Sequence, residues 1–420
     1  MRFGLLGKKL GHSYSPMIYE LLGHPGYELF PMPEEDIPAF LRGGGLRGLN
    51  VTIPYKKTVM PFCDTLSNTA RRLGNVNTLL FGEDGCIHGH NTDYAGFLYM
   101  MAQAGIALAG KKMLILGTGG AAQTARLASL DAGAKEVVMI SRSGKDNYDN
   151  LHRHTDAQVL LNATPVGMFP HDEGIPLLLG LFPVLEGVAD MIYNPLRTNL
   201  LTEAASRGIC VAGGLSMLAE QGRLAVEIIF GERIQQTETL RVCRELQRHN
   251  ENIVLVGMPG SGKTTVGRLL AERMNREFVD LDDLLEEKTG KNAARWIVEE
   301  GEAVFREQES VILRETARGR GLVIATGGGA IIKAENRTSL RRNGRVCWLR
   351  RSLESLETGG RPLSKDLGAL YETRRPLYEA AAHMVVDMTL EAADIAKQIK
   401  EEFDAYIGAQ WAEPEPFGNT

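Results

Sequence analysis

The stretch NIVLVGMPGSGKTTVGRLLAERM, Asn252–Met274, passes from a continuous apolar run through a glycine turn into a helix-period pattern. An apolar run of this kind reads as a strand buried on both faces, and the amphipathic pattern after it reads as the crossover helix of a parallel sheet. Its turn, GMPGSGKT, satisfies G-x-x-x-x-G-K-[ST]. Gly257, Pro259, Gly260, Ser261 and Gly262 form a loop whose backbone N–H groups can wrap phosphates, and Thr265 follows in the first helical turn. Lys263 reaches the outer phosphates, and the Thr264 hydroxyl is a magnesium ligand. This fixes a nucleotide site in an α/β domain but leaves the phosphate acceptor open.

A second strand–glycine–helix unit lies upstream, in KKMLILGTGGAAQTARLASL, Lys111–Leu130. GTGGAA fits the dinucleotide pattern G-x-G-x-x-G/A, with Gly117, Gly119 and Ala122 in its three places and Gly120 and Ala121 at the helix start. The next strand, EVVMI, ends in Ser141, Arg142 and Ser143. An acidic residue at that strand end would hold the ribose hydroxyls of NAD, whereas a guanidinium, with Lys145 near, matches a 2′-phosphate. NADP is therefore expected over NAD. The two turns differ in kind, so the chain is not a duplicated repeat.

Length and composition set outer limits. The 420 residues make two or three domains, and 44% hydrophobic with 24% charged residues is an ordinary globular balance. A net charge of −5 gives no general attraction to nucleic acid or to an anionic membrane. Five cysteines without C-x-x-C suggest neither a disulfide framework nor a zinc knuckle. His88 and His90 lack a third ligand nearby and read as polar side chains of a strand. No apolar stretch has membrane-spanning length, and the expected address is the cytoplasm.

A dinucleotide unit that starts only after about a hundred residues implies a separate substrate domain before it. In that segment GHSYSP, Gly11–Pro16, directs Ser13 and Ser15 at one patch beside a helix start, with Ser15 expected as N-cap and Pro16 as the first helical residue. NVTIPYKK, GNVNTLLF and GHNTDYAG each close an apolar run with small polar residues. Asn50, Thr52, Asn77 and Asp93 read as hydrogen-bonding groups for a hydroxyl-rich ligand, and Lys56 with Asp93 offers a proton donor and its partner. Behind the phosphate loop, FVDLDDLL is read as an extended segment with Asp280 and Asp282 on one face. GEAVFREQE offers Arg306, ATGGGAI offers Gly327, Gly328 and Gly329, and TRRPLYEAAA offers Arg374. GGRPL reads as a lid whose Arg361 swings to the transferring phosphate. One carboxylate set with two distant arginines suits an acceptor bearing hydroxyls and a carboxylate.

Eight ordered segments over residues 1–248 resemble shikimate dehydrogenase: FGLLGKKLGHSYSP, NVTIPYK, GNVNTL, GHNTDYAGF, GTGGAA, NATPVGM, DMIYNP and GGLSMLAEQG. The resemblance implies that Ser13 and Ser15 hold the carboxylate of shikimate, with Tyr193 lining that side. It implies that Thr52, Asn77, Asp93 and Gln221 hold ring hydroxyls, and that Lys56 and Asp93 are the catalytic pair. Residues 252–404 resemble shikimate kinase. That resemblance implies ATP and magnesium, with Asp282, Arg306, Gly328 and Arg374 on shikimate, Asp282 accepting the 3-hydroxyl proton, Asp280 at the metal through water, and Lys263 and Arg361 on the transferring phosphate. Two departures are visible. The strand-end triplet is Ser-Arg-Ser where the family often has Asn-Arg-Thr, and the short stretch after it implies a trimmed helix.

The expected architecture is α/β throughout. Residues 1–100 form a substrate domain completed by helices at about 216–248, residues 101–215 a Rossmann-like NADP domain, 249–251 a linker, 252–405 a P-loop kinase domain with a parallel sheet, and 406–420 a disordered tail. The expected activity is NADPH reduction of 3-dehydroshikimate followed by ATP phosphorylation of shikimate, with small molecules as partners and homodimerisation left open. The alternatives are a broader quinate/shikimate dehydrogenase joined to the kinase, and a ligand sensor with decayed catalytic groups. The presence of Lys56, Asp93, Lys263, Asp280, Asp282 and Arg361 argues against decay.

Overall fold

In a computed structural model, residues 1–11, 13–356 and 367–412 are described. Three sheets organise them. The first contains β1 (Arg2–Gly7), β2 (Glu28–Pro31), β3 (Leu46–Val51), β4 (Thr65–Leu66), β5 (Thr78–Phe81) and β6 (Ile87–His90), in the order β2-β1-β3-β5-β6-β4. It is mixed: β1 runs parallel to β2 and β3, whereas β5 is antiparallel to both β3 and β6. The helix Leu215–Phe230 returns to this sheet late in the chain, and its Val226 and Ile229 pack with Leu5, Tyr19 and Tyr27.

The second sheet is parallel throughout, with β7 (Lys112–Leu116), β8 (Glu136–Ile140), β9 (Val159–Asn162), β10 (Gly187–Asp190) and β11 (Cys210–Gly213) in the order β11-β10-β9-β7-β8. Met113–Leu116 have no exposed surface, as expected for a strand covered on both faces. The order reverses beside β7, so the crevice at its carboxyl end is where such a sheet binds ligand. Between β8 and β9 there is only a 3-10 stretch, Tyr148–His154, in place of a full crossover helix.

The third sheet, also parallel, has β12 (Asn252–Val256), β13 (Phe278–Asp280), β14 (Val323–Ala325), β15 (Gly344–Arg350) and β16 (Met384–Asp387) in the order β13-β14-β12-β15-β16. The chain forms two compact units, one holding the first two sheets and the other residues 195–197 and 247–410. Where the sequence reading put a linker at 249–251, the helix Thr237–Asn250 continues to Asn250, and only Glu251, itself buried, precedes β12. Distant donors satisfy this polar stretch. The Arg276 guanidinium donates to the carbonyls of Glu251 (2.9 Å) and Arg248, and Asn343 Nδ2 donates to that of Asn250 (3.2 Å). The expected tail likewise begins later, since the helix Ala392–Gln410 extends past residue 406 and buries Ile407 completely. Residues 413–420 lie outside the described residues. All five cysteines are free, and among the described residues no helix is long and apolar enough to cross a membrane.

Candidate active sites

In the first unit the strand ends bring Lys56 and Asp93 together, with Nζ 2.5 Å from Oδ2 and both side chains mostly buried. Asp93 opens the helix Asp93–Gln103, and the loop before it is pinned by Asn77. The Asn77 side-chain carbonyl accepts from the Thr92 backbone N–H (2.8 Å), and its amide donates to Thr92 Oγ1 (3.0 Å). The Gln221 amide donates to the Leu218 carbonyl at 3.1 Å, and its side-chain oxygen lies 3.5 Å from Thr92 Oγ1. Thr52, just past β3, is tied by its N–H to the Leu6 carbonyl at 2.9 Å.

Two serine readings change. The first helix spans Ser15–Leu21 with Tyr14 at its N-cap, so Ser15 is inside the helix rather than capping it. Ser13, one residue before the cap, accepts the Ser15 N–H on its Oγ at 3.2 Å. The Tyr14 ring lies against Tyr193, centroids 5.1 Å apart, which brings the serine segment and the DMIYNP loop to one place. Asn50 does not remain available for a ligand. Its oxygen accepts from Tyr19 (2.7 Å) and Tyr27 (2.9 Å), its amide faces Thr78 Oγ1 (3.3 Å), and the residue is buried.

At the carboxyl end of β7 the chain turns on Gly117, whose φ of 107° favours glycine and whose added Cβ would stand 3.1 Å from the Ala163 carbonyl oxygen. Gly119 precedes the helix Gly120–Asp131, and a Cβ on either Gly119 or Gly120 would meet only open space. Ala121 is half-buried beside the fully buried Ala122. Bare backbone at a helix start, at the switch point of a parallel sheet, fits a dinucleotide diphosphate. At the end of β8, Ser141 Oγ accepts the Gly144 N–H at 2.7 Å, leaving Arg142 and Ser143 exposed at the turn.

A residue that sequence reading passed over holds this region together. Asp190, fully buried, accepts from Asn162 Nδ2 (3.1 Å), Thr198 Oγ1 (2.8 Å) and the Ile192 N–H (3.0 Å), joining the NATPVGM and DMIYNP loops. Burial pushes its carboxyl up to about 6 against those three hydrogen bonds.

The second unit contains a cavity of about 780 Å³ lined by Pro259, Gly260, Gly262 and Lys263–Thr265 on one side and by Asp282, Arg306, Gly327–Gly329 and Arg374 on the other. Gly257, Gly260 and Gly262 all have positive φ, as a loop folded back on its own N–H groups requires. Among the described residues the buried Ser261 hydroxyl has no hydrogen-bond partner, and Lys263 Nζ bridges the Gly257 and Met258 carbonyls at 3.0 Å each. This is a fit for nucleotide phosphates. Thr264 Oγ1 donates to Asp280 Oδ2 at 2.7 Å, so two oxygen donors meet at the mouth of the loop. Among the described residues no group of three or more His, Cys, Asp or Glu could hold a metal. Two oxygens still suit magnesium, which keeps waters and takes its other ligands from phosphates.

Asp280 and Asp282 do not share an extended segment. β13 ends at Asp280, which caps the helix Leu281–Thr289 by accepting the Asp282 N–H at 3.1 Å, so Asp282 rises from the first helical turn. The three glycines let neighbouring groups approach the backbone closely. A Cβ on Gly327 would stand 2.8 Å from Asp282 Oδ1, one on Gly328 would stand 2.7 Å from Pro259, and one on Gly329 would strike the Arg306 guanidinium. Tyr378 donates to the Gly328 carbonyl at 2.6 Å, and the buried Arg374 lies beside it.

Arg306 points into the cavity because Glu309, missed in the sequence, accepts from its Nη1 at 2.9 Å, and Glu302 accepts from Nη2 at 3.1 Å. Burial alone would push this guanidinium down, but the two glutamates hold it above its ordinary value. Its Nε is buried without a hydrogen-bond partner among the described residues. Burial pushes the Glu309 carboxyl up, while Arg306 pulls it back. The signal for Glu309 was the i,i+3 spacing in FREQE, which places both groups on one helix face. Arg351, directly after β15, also lines the cavity and was not singled out. Arg361 and the GGRPL segment lie outside the described residues.

Comparison with known proteins adds the following. The family model "Shikimate dehydrogenase substrate binding domain" matches residues 5–79, and the model "Shikimate kinase" matches residues 259–404. A shikimate dehydrogenase (NADP(+)) of Clostridium perfringens is 35% identical over 266 residues, 58% of this chain and 98% of that protein. A chorismate mutase/shikimate 5-dehydrogenase fusion protein from Clostridium acetobutylicum is similar in structure, with a TM-score of 0.55 and 32% identity over 58% of this chain and 96% of that one. A Thermus thermophilus shikimate 5-dehydrogenase, solved with NADP(H) and shikimate, gives a TM-score of 0.53 at 34% identity, over 58% and 99% of the two chains.

Proposed function

We propose, from the premise that the chain belongs to the shikimate dehydrogenase family and carries a shikimate kinase domain after it, that one polypeptide performs two consecutive steps. It reduces 3-dehydroshikimate to shikimate with NADPH, then phosphorylates the 3-hydroxyl of shikimate with ATP. One observation carries the reading: each unit contains, among its own residues, a glycine-rich loop suited to a nucleotide and a set of groups suited to the same hydroxylated carboxylate, and in the second unit both line one cavity.

For the reduction, Gly117–Ala121 would hold the diphosphate of NADPH, which when bound would supply hydride to the ketone carbon. Lys56 stands where an ammonium can stabilise the alkoxide and give it a proton, and the 2.5 Å bond to Asp93 fixes its direction. Asp93, Asn77, Thr52 and Gln221 hold the ring hydroxyls, and Ser13, Ser15 and Tyr193 take the carboxylate. Arg142 and Lys145 read the 2′-phosphate, with Ser141 and Ser143 at the same turn.

For the transfer, ATP supplies the phosphoryl group, and the Gly257–Thr265 loop carries its phosphates. Thr264 and Asp280 would hold magnesium. Arg306 and Arg374 bind the carboxylate of shikimate, and Asp282 accepts the proton of the attacking hydroxyl beside Gly327–Gly329. Arg361 completes the charge on the transferring group. Positioning and charge neutralisation account for most of such catalysis. The reading includes a cytoplasmic enzyme acting on small molecules.

The test supplies purified protein with 3-dehydroshikimate, NADPH and Mg-ATP and follows NADPH loss and shikimate 3-phosphate. Both signals are expected. NADPH loss without phosphorylated product refutes the kinase half; absence of both signals refutes the reductase half, and added shikimate with Mg-ATP then tests the kinase half alone. Asp282→Asn should abolish phosphorylation of added shikimate while ATP still binds.

A further inference from the structure

The second unit has another cavity, of about 640 Å³, whose lining includes Arg248 and His249, Glu277 and Leu322. These residues come shortly before β12, β13 and β14, so the cavity sits at the amino ends of the strands. The phosphate loop leaves the opposite end of β12, five residues further on, or about 17 Å at 3.3 Å per residue. The two cavities share no residue.

Its charge is one-sided. Arg248, Arg273, Arg276, Arg320 and Lys400 line it, against the carboxylates of Glu277 and Asp404. Asp404 is shared by Arg248 (3.0 Å) and Lys400 (2.7 Å). Arg276 directs its fork at the carbonyls of Glu251 and Arg248, which are neutral acceptors. Burial pushes that guanidinium down to about 10, with Arg248 adding to the effect against Glu251 and Asp404. Arg273 is exposed and has no ion pair among the described residues. Met274 and Leu322, both half-buried, give the same cavity an apolar wall.

A solvated basic face needs neither a concavity nor a buried guanidinium. Here a pocket in the size range of metabolite sites combines surplus positive charge with apolar surface. An anion would complete the charge, and a carbon skeleton would cover Met274 and Leu322. We propose that this cavity binds a small organic anion carrying at least two negative groups, a sugar phosphate or a polycarboxylate, separately from the two active sites.

The experiment uses the full chain carrying Lys263→Met, so that the phosphate loop does not compete, and titrates citrate, pyrophosphate and orthophosphate by calorimetry at low salt. Citrate or pyrophosphate should bind with one site per chain, at least tenfold tighter than orthophosphate, and weaken steeply as salt rises. Arg273→Glu, at an exposed and unpaired position, should weaken that binding at least tenfold, as should Arg320→Gln. A urea midpoint of the second unit close to the parent's reports that each variant is folded there. Citrate tighter than pyrophosphate identifies the polycarboxylate class, and the reverse identifies the phosphorylated one. Absence of binding by both probes, or binding untouched by both substitutions in folded chains, overturns the proposal.

Discussion

Replacing Glu309 tests how the kinase cavity is built, because Glu309 acts through Arg306. Their side chains are 6% and 11% exposed and 2.9 Å apart, so the pair is a desolvated one. Removing one partner of such a pair costs about 3–5 kcal/mol, since the other charge is left buried. Glu302 still accepts from Nη2, but it is half exposed, so Glu309→Ala falls at the lower end, about 3 kcal/mol. If most of this appears as misplacement of Arg306, the KM for shikimate rises about a hundredfold at 1.4 kcal/mol per decade. Glu309→Gln keeps shape and hydrogen bond but loses the charge. The bond to the charged guanidinium survives but its counter-charge does not, so the rise falls between the parent and Glu309→Ala, about tenfold. The assay varies shikimate at saturating ATP, with reductase activity reporting the amount of active first unit and the urea midpoint of the second unit as its folding control. A Glu309→Ala chain with active reductase and a KM within twofold of the parent refutes the reasoning. An unchanged KM with collapsed kcat would move Glu309 from positioning Arg306 to acting on the acceptor.

Lys56→Ala should lower reductase turnover about a hundredfold or more while phosphorylation of added shikimate continues, because one preorganised donor at the alkoxide is lost; near-normal turnover removes Lys56 from the mechanism. Arg142→Asp should cut the NADP-to-NAD preference in kcat/KM steeply, by losing the phosphate partner and adding a like charge; an unchanged ratio means that the 2′-phosphate is read elsewhere. His383 Nδ1 accepts the Val346 N–H at 3.0 Å, and burial, with Arg197, Arg341 and Arg345, pushes its pKa down to about 2 from 6.5. The unfolded chain therefore binds a proton that the folded chain refuses, and the stability held above pH 6.5 is lost as pH falls, by about 2 kcal/mol between pH 7 and 5. Urea midpoints of the second unit at both pH values check this, and His383→Asn should flatten the difference.

The three-sheet α/β plan was legible where one physical signal dominates. Continuous apolar runs ending in glycine turns mark β7 and β12, because a strand covered on both faces has no polar face to show. The Lys56–Asp93 pair was legible for another reason. Each residue closes its own apolar segment with a group too polar for the core, and strand and helix ends gather at one rim. Helix boundaries were less so. Asp280 reads as extended and Asp282 as its alternate neighbour, yet Asp280 accepts the Asp282 N–H and turns the chain into a helix. A capping aspartate and a strand aspartate look alike until the next turn is built.

Buried polarity was the least legible part, and it decides which residues are free to meet a ligand. Asn50 and Asn77 stand in similar segments, Asn50 inside β3 near its end and Asn77 directly before β5, and both are buried. Asn50 is consumed by two tyrosine hydroxyls that come from residues 19 and 27. Asn77 uses its oxygen and one amide hydrogen on Thr92, which fixes the loop that presents Asp93 and leaves the second amide hydrogen for a ligand. Glu251 and Asn250 look like linker residues for the same reason: their partners, Arg276 and Asn343, lie 25 and 93 residues away. A polar residue belongs to a loop, a core network or a site according to which distant donors reach it, and a single sequence does not encode that locally. Glu309 is the intermediate case. Its partner is three residues away, so the pairing could be read, but only the buried environment turns an ordinary helix-face pair into the support of a binding arginine.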